Sequence, residues 1–159
     1  MPAGGCWIRL PPEGVLIIGF GNPLRGDDGA GPYAARKLRC RGFSALDAHQ
    51  LTPELAEAVS RVELSVFIDS RADLAPGEVR AEPVQESGHP ELEHHASPGS
   101  ILRLARQVYG RVPQALIVTI GAESYDLGRP LSDCVLRAVE TLVEEWVAPS
   151  RESFGNEQR

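Results

Sequence analysis

The sequence predicts an α/β fold, a doubly wound, mainly parallel twisted sheet of about five strands with helices on both faces in a three-layer α/β/α arrangement. The first observation is three short apolar runs, GVLIIGF (14–20), LSVFIDS (64–70) and QALIVTIGAES (114–124), which predict buried strands. The second is that segments with helical spacing of apolar residues separate these runs. Strands that alternate with helices along a chain pair in parallel and are covered on both faces.

Two further segments complete the predicted sheet. FSALDA (43–48) is a weaker strand that follows the first helix. PGEVRAEPV (76–84) begins with a Pro-Gly turn and then alternates, which is typical of an exposed or edge strand. The stretch at 85–100 is polar and rich in Gly, Pro and His, so we expect a long loop of the kind that is often functional.

Capping residues mark where the predicted helices begin. The predicted helices span 29–42, 52–62, 97–110 and 131–147. Thr52 precedes Pro53, and Ser97 precedes Pro98, so in each case a capping side chain stands before a proline that the first helical turn tolerates. Ser132 is the expected cap of the last helix.

Length, charge and cysteine usage limit the class of protein. The 159 residues suit one domain, which we place at 14–147, between a flexible lead-in at 1–13 and a tail at 148–159 that we expect to be disordered. A net charge of −6 without a Lys/Arg-rich block argues against nucleic acid or an anionic membrane as partner. No apolar run approaches the roughly 20 residues that span a bilayer. The N-terminus shows no signal peptide and the three cysteines are scattered, so we expect reduced thiols and a cytoplasmic location.

The turn GFGNPLRGDDGAG (19–31) after the first strand is rich in glycine, as phosphate-binding turns are. Its spacing fits neither the dinucleotide fingerprint G-x-G-x-x-G nor a P-loop, which needs a Gly-Lys-Ser/Thr ending. The nucleophile elbow G-x-S-x-G is absent as well. Two adjacent aspartates, Asp27 and Asp28, would repel a phosphate. The turn therefore predicts a cation near this end of the sheet.

Acidic residues and histidines follow the strands on the edge where ligands bind in open α/β sheets. Asp28 follows the first strand, Asp69 ends the third, and the long loop carries His94 and His95. Because neighbouring parallel strands lie about 4.8 Å apart, carboxylates at their ends can converge on one ion. Two carboxylates and one imidazole suit a borderline metal such as zinc or nickel, and three ligands leave a position open for water or substrate.

Each of these residues also has a structural interpretation. Asp27 or Asp28 could cap the following helix, and Asp27 is the better candidate for that role. Asp69 could be an ordinary residue of a strand-end turn, and His94 and His95 could simply be solvated.

Five further residues are weaker candidates for substrate binding or for support of the ligands. Asn22 is expected to bond the backbone of its own turn, and Glu123 to bond nearby amides. His49 lies two residues after Asp47, which follows the second strand on the same edge. The weaker candidates are Asn22, Asp27, His49, His95 and Glu123.

Four motifs in order resemble the nickel–iron hydrogenase maturation proteases and together span about 14–147. GFGNPLRGDDGAG is similar to the family's G-x-G-N-x-L-x-x-D-(D/E)-x-x-G. FIDS, followed by PGEV, resembles the family's strand-end aspartate segment. HHASPGSILRLA and VTIGAESYDLGRPLS resemble its histidine segment and its G-x-E segment.

The resemblance implies a cytosolic, aspartic-type endopeptidase that trims a C-terminal extension from a hydrogenase large-subunit precursor. It implies that Asp28, Asp69 and His94 contact nickel already installed in the substrate, with Asp28 and Asp69 as the catalytic pair and His95 as the competing histidine. The metal then arrives with the substrate, and zinc or cadmium can replace it. We expect a monomer. The alternatives are a non-catalytic, metal-binding assembly checkpoint for the same subunit, or a hydrolase with its own zinc.

The sequence departs from the family pattern in two places. Asp28 stands where the family often has the longer Glu, which changes the reach of the carboxylate. After the second strand, DAHQLTPEL replaces an Asp-Gly-Gly-Thr-like loop on the same edge, which bears on which hydrogenase is the client.

Overall fold

A computed structural model describes residues 13–88 and 95–147, and within them five strands form one sheet in the order β2-β1-β3-β5-β4. All neighbouring pairs are parallel except β4 with β5, which is antiparallel. The predicted doubly wound fold is confirmed, and the segment predicted as an edge strand is the antiparallel edge strand β4. The strands are β1 (Val15–Phe20), β2 (Ser44–Ala48), β3 (Leu64–Arg71), β4 (Val79–Pro83) and β5 (Gln114–Gly121).

Helices cover both faces of the sheet, as predicted. The helical segments are a 3₁₀ turn (Gly26–Gly29), α1 (Ala30–Cys40), α2 (Leu55–Ser60), α3 (Pro98–Tyr109) and α4 (Asp133–Val147). Helices α1 and α4 share one buried core with the strand residues on their side of the sheet, and α2 and α3 share a second core on the other side. Successive strand residues alternate between the two cores, as a sheet covered on both faces requires. Over the described residues, no helix is both long and apolar enough to cross a membrane.

The predicted helix starts are confirmed in one case and wrong in another. Ser97 caps α3, because its hydroxyl accepts from the Ser100 amide at 3.2 Å while the Ser100 hydroxyl accepts from the Ser97 amide at 2.8 Å. Thr52 does not cap α2, which begins only at Leu55 without a side-chain cap. The backbone carbonyl of Thr52 accepts from the Leu55 amide at 3.1 Å instead, so a backbone turn satisfies the donor that a cap would have taken.

Glycines let α1 lie directly on the ends of two strands. A Cβ atom added at Gly31 would lie 2.4 Å from the Ile68 carbonyl oxygen of β3 and 2.6 Å from the Phe20 carbonyl oxygen of β1. A Cβ atom added at Gly19 would lie 1.9 Å from the carbonyl oxygen of Gly31. These distances exclude any side chain, so the glycines of the turn serve the contact between helix and sheet.

Asp27 ties the turn after β1 to the segment between β5 and α4. Its side chain is fully buried and accepts four hydrogen bonds: from the amide and hydroxyl of Ser132 at 2.7 and 2.9 Å, and from the amides of Glu123 and Ser124 at 2.8 and 3.2 Å. The prediction that Asp27 caps the next helix is therefore wrong, because its donors come from distant segments. Burial alone would raise its pKa, but the bonds from Ser132, Glu123 and Ser124 outweigh burial and lower it.

We expect Asp27→Ala to lower the free energy of unfolding by about 2–4 kcal/mol, because buried donors lose a charged acceptor. Asp126→Ala is the control, since Asp126 is an exposed acid of the same loop and should change stability by less than about 0.5 kcal/mol. Because the folded pKa of Asp27 lies below its ordinary 3.8, its contribution is full above that pH and is lost as the pH falls through the lowered value. Urea unfolding measures both variants, and equal losses would contradict the role of Asp27.

Candidate functional site

The strand order places a topological switch point between β1 and β3. From β1 the chain moves to β2 on one side, and it then crosses back to β3 on the other side. In open α/β sheets, ligands bind at the carboxyl ends of the strands at such a point. Asp28 lies in the 3₁₀ turn after β1, and Asp69 lies near the end of β3. The two predicted carboxylates therefore flank the position where a ligand is expected.

Asp28 is half-buried and is held by its own turn. Its Oδ2 accepts from the Asn22 amide at 2.7 Å, and its Oδ1 lies 3.5 Å from the Ser70 hydroxyl. Asn22 Oδ1 in turn accepts from the Leu24 amide at 2.9 Å, which confirms the prediction that Asn22 bonds its own turn. The α1 helix has no side-chain cap, so Asp28 does not cap it. These bonds fix the Asp28 carboxylate at the rim of the sheet.

Asp69 is the most electrostatically perturbed group of the site. Burial raises its pKa to about 6, and the negative charge of Asp28 adds to the rise, while the hydrogen bond from the Ser70 amide at 2.8 Å opposes it. Repulsion of this kind requires the two carboxyl groups to be close. Ser70 contacts both, through its amide and its hydroxyl. The structure thus brings Asp28 and Asp69 to one place.

Ser70 and Tyr125 are site residues that the motif analysis did not single out. The Ser70 hydroxyl is buried and lies 3.1 Å from the Tyr125 hydroxyl. Burial raises the pKa of Tyr125, and the negative charges of Asp69, Asp28 and Asp27 add to that rise against the bond with Ser70. Tyr125 therefore stays protonated at neutral pH and adds a hydroxyl to the site. Their sequence signal is position alone: Ser70 lies at the end of an apolar strand next to Asp69, and Tyr125 follows the last apolar strand two residues after Glu123.

Of the three histidine candidates, the structure describes His49 and His95. His94, the predicted third ligand, lies outside the described residues. His95 is exposed and lines a cavity of about 260 Å³ between the β2–α2 connection and α3, which Gln50 also lines. His49 is exposed. Over residues 13–88 and 95–147, no group of three or more His, Cys, Asp and Glu side chains could hold a metal ion.

Two other acidic residues of this edge, Asp47 and Glu123, have different partners. Asp47 forms ion pairs with Arg39 at 2.8 Å and with Arg36 at 3.8 Å, both on α1. It therefore belongs to the contact between β2 and α1. The side chain of Glu123 is exposed, and the residue contributes its amide to Asp27. The acids that lie together are Asp28 and Asp69.

This arrangement suits hydrolysis assisted by a cation. A carboxyl group with a pKa of about 6 beside a second carboxylate can exchange a proton with a water molecule. The paired negative charge would attract a divalent ion, and such an ion would polarise a carbonyl group and lower the pKa of bound water.

Solved structures of similar proteins show the same fold. HybD, a nickel–iron hydrogenase maturation protease from Thermococcus kodakarensis, is 31% identical, with 82% of this chain and 95% of that chain covered and a TM-score of 0.61. HycI, a nickel–iron hydrogenase maturation protease from the same organism, is 19% identical over 84% of this chain and 89% of its own, with a TM-score of 0.69. The hydrogenase maturating endopeptidase HybD from E. coli is 20% identical over 82% and 88%, with a TM-score of 0.64.

A scan against protein-family models gave no match, and a search of curated proteins gave no significant match. The family is shown by HybD from Thermococcus kodakarensis, because the alignment with that protein has 31% identity and covers 82% of this chain and 95% of that chain. The chain is a peptidase and belongs to the family of nickel–iron hydrogenase maturation proteases.

Proposed function

We propose that the protein removes the C-terminal extension from the large-subunit precursor of a nickel–iron hydrogenase after nickel has been installed. The substrate's nickel is contacted by Asp28, Asp69 and His94, so that only a metal-loaded precursor is cleaved. The observation that carries the proposal is the juxtaposition of two carboxylates, one from the turn after β1 and one from β3, both in contact with Ser70, at the switch point of the sheet. The similar proteins of solved structure are hydrogenase maturation proteases, which supports the class of substrate.

The charge balance of the site supports selectivity for a metal-loaded substrate. Among the ion pairs of the described residues, none joins Asp28 or Asp69 to Arg, Lys or His. Two neighbouring carboxylates without a cationic partner repel each other and are costly to ionise together. A divalent ion on the substrate removes that repulsion. A precursor without nickel leaves the repulsion in place, so its binding to this site is weaker.

The same two carboxylates account for hydrolysis without a serine or cysteine nucleophile. A water molecule attacks the scissile carbonyl carbon and gives a proton to one carboxylate. That carboxyl group then returns the proton to the nitrogen of the leaving peptide, and the amide bond breaks. The nickel is part of the substrate, and its charge polarises the reacting groups.

We place this reaction in the cytoplasm, with the single chain as the working unit. Cys40 and Cys134 are free thiols, which a reducing compartment preserves. Gln50, at the end of the loop Asp47 to Gln50 in which the sequence departs from the family pattern, lines the same cavity as His95. This supports a role for Gln50 in the choice of client, whereas the Asp47 side chain pairs with Arg36 and Arg39 of α1.

We expect Asp28→Ala to reduce cleavage of the nickel-loaded precursor by about 10²-fold or more, because the site loses one of its two carboxylates. The intact mass of the precursor after incubation reports the lost peptide. Asp47→Ala is the matched control, since Asp47 is an acid of the same edge whose partners are Arg36 and Arg39, and it should cleave at a rate close to the wild-type rate. Cleavage by Asp28→Ala at the wild-type rate would overturn the assignment. If wild-type protein binds the precursor stably but leaves its mass unchanged, the alternative of a non-catalytic assembly checkpoint is favoured.

We expect purified protein to contain far less than one metal ion per chain, because the ion arrives with the substrate. Elemental analysis of the protein measures this content. Wild-type protein should also leave a nickel-free precursor uncut under conditions in which the loaded precursor is processed. Stoichiometric zinc in active protein would show instead a hydrolase with its own metal.

We expect Asp69→Asn to be more stable than the wild type at pH 7.5 by about 1–3 kcal/mol, and to lose cleavage. The folded pKa of Asp69 is about 6, above its ordinary 3.8, so the folded state binds this proton more tightly than the unfolded state. Ionised Asp69 therefore lowers the free energy of unfolding. This loss of stability is small near pH 4, grows as the pH rises through about 6, and is complete at pH 7.5. Asn keeps an acceptor for the Ser70 amide. Urea unfolding at pH 5 and 7.5 should show a larger difference at the higher pH, and a difference independent of pH would contradict the assignment.

A further inference from the structure

Two buried hydroxyl groups lack a hydrogen-bond partner within the described part of the chain. They are Ser65 Oγ on β3 and Thr119 Oγ1 on β5. The two residues are 0% and 3% exposed, respectively, so bulk water does not compensate either group. An unpaired buried hydroxyl is unfavourable, and most buried polar groups in proteins are paired. One of these two lies beside the candidate site.

Thr119 is the register partner of Asp69 in the parallel pair of β3 and β5. Val118 and Ile120 point into the core beneath α1 and α4, so Thr119 points to the opposite face of the sheet. Phe67 packs in the core on that opposite face, and Asp69, two residues further along β3, points the same way. Partners on neighbouring strands lie about 4.8 Å apart, so the unpaired hydroxyl is a lateral neighbour of the Asp69 carboxyl group.

Within the described part of the chain, few donors reach the Asp69 carboxyl group. The Ser70 amide donates to its Oδ1 at 2.8 Å. Arg80, the β4 residue paired with Thr119 on the far side, directs its guanidinium to Glu78 at 2.9 Å. Thr119 is thus a buried donor next to the carboxylate that is expected to contact the substrate. Carboxylates that contact a metal are usually held by a further hydrogen bond from the protein.

We propose that Thr119 is a positioning residue for Asp69: when the metal-loaded substrate binds, the Thr119 hydroxyl donates to one oxygen of Asp69 and holds the other toward the substrate. This inference rests on the proposed role of Asp69. It gives a role to a buried hydroxyl that has no hydrogen-bond partner within residues 13–88 and 95–147. Thr119 does not touch the substrate and acts through Asp69.

Ser65 provides a matched control within the same strand pair. It lies on the same face of β3, four residues before Asp69, and pairs with Ala115 of β5. At about 3.3 Å per residue, it is roughly 13 Å from Asp69, toward the amino end of the strand. Its hydroxyl is buried and unpaired as well, so its removal has a similar local effect without a candidate acid nearby.

The experiment compares full-length Thr119→Val, Thr119→Ser, Ser65→Ala and Asp69→Asn with the wild type. The probe is the nickel-loaded large-subunit precursor from the same organism, and kcat/KM for cleavage and Tm are measured for each protein. We expect Thr119→Val to keep or raise Tm, because an unpaired polar group is replaced by a methyl group of similar shape. Its kcat/KM should fall about 10–100-fold, and Thr119→Ser should restore it to within about threefold of wild type.

Ser65→Ala should keep wild-type kcat/KM whatever its Tm. The proposal for Thr119 is overturned if folded Thr119→Val cleaves at the wild-type rate, if Thr119→Ser does not restore cleavage, or if Ser65→Ala loses as much activity. Asp69→Asn separates this failure from a failure of the proposed function. If Asp69→Asn is inactive while Thr119→Val is fully active, only the role of Thr119 is wrong. If Asp69→Asn cleaves normally, the proposed site itself is wrong.

Discussion

The direct contact between α1 and the ends of β1 and β3 is the constraint on which the rest of the site depends. Gly31 touches the carbonyl oxygens of Phe20 and Ile68 so closely that no Cβ atom fits, and Gly19 meets the Gly31 carbonyl in the same way. A larger residue at either position would push the helix away from the sheet. The chain between these glycines would then no longer place one aspartate under the turn and the next at the rim.

The two adjacent aspartates of this turn have opposite roles because their environments differ. Asp27 points inward and meets four donors, so it is stably ionised and stabilises the fold. Asp28 lies at the rim beside Asp69, and the pair destabilises the ionised free protein. A glycine-rich turn that resembles a phosphate site thus carries two negative charges for two reasons. One charge holds the fold together, and the other, beside Asp69, belongs to the cation site that we propose.

Much of the fold could be predicted because three of the five described strands are short apolar runs and the edge strand alternates. Local chemistry also predicted the Ser97 cap, whose partner Ser100 is three residues away. The start of α2 was predicted wrongly, because a backbone turn and a Thr cap satisfy the same donors and the sequence does not distinguish them. Element boundaries depend on such small local differences.

The site was predictable only where the topology alone decides proximity. Asp28 and Asp69 follow strands that neighbour each other in a doubly wound sheet, so their convergence could be expected. The role of Asp27 could not, because its donors lie 96 to 105 residues away in the chain. The pairing of Asp47 with Arg39 depends on the angle between α1 and β2, and the contacts of Ser70 with Tyr125 depend on loop geometry. None of these has a periodic signal in the sequence.

The central claim is that Asp28, Asp69 and His94 share one divalent ion at the switch point of the sheet. A crystal structure of the protein grown with cadmium, with the ion located by its anomalous scattering, tests this most directly. The account predicts one ion bound by a carboxylate oxygen of Asp28, a carboxylate oxygen of Asp69 and an imidazole nitrogen of His94. An ion bound elsewhere with this position empty, or a His94 imidazole remote from both carboxylates, would contradict it.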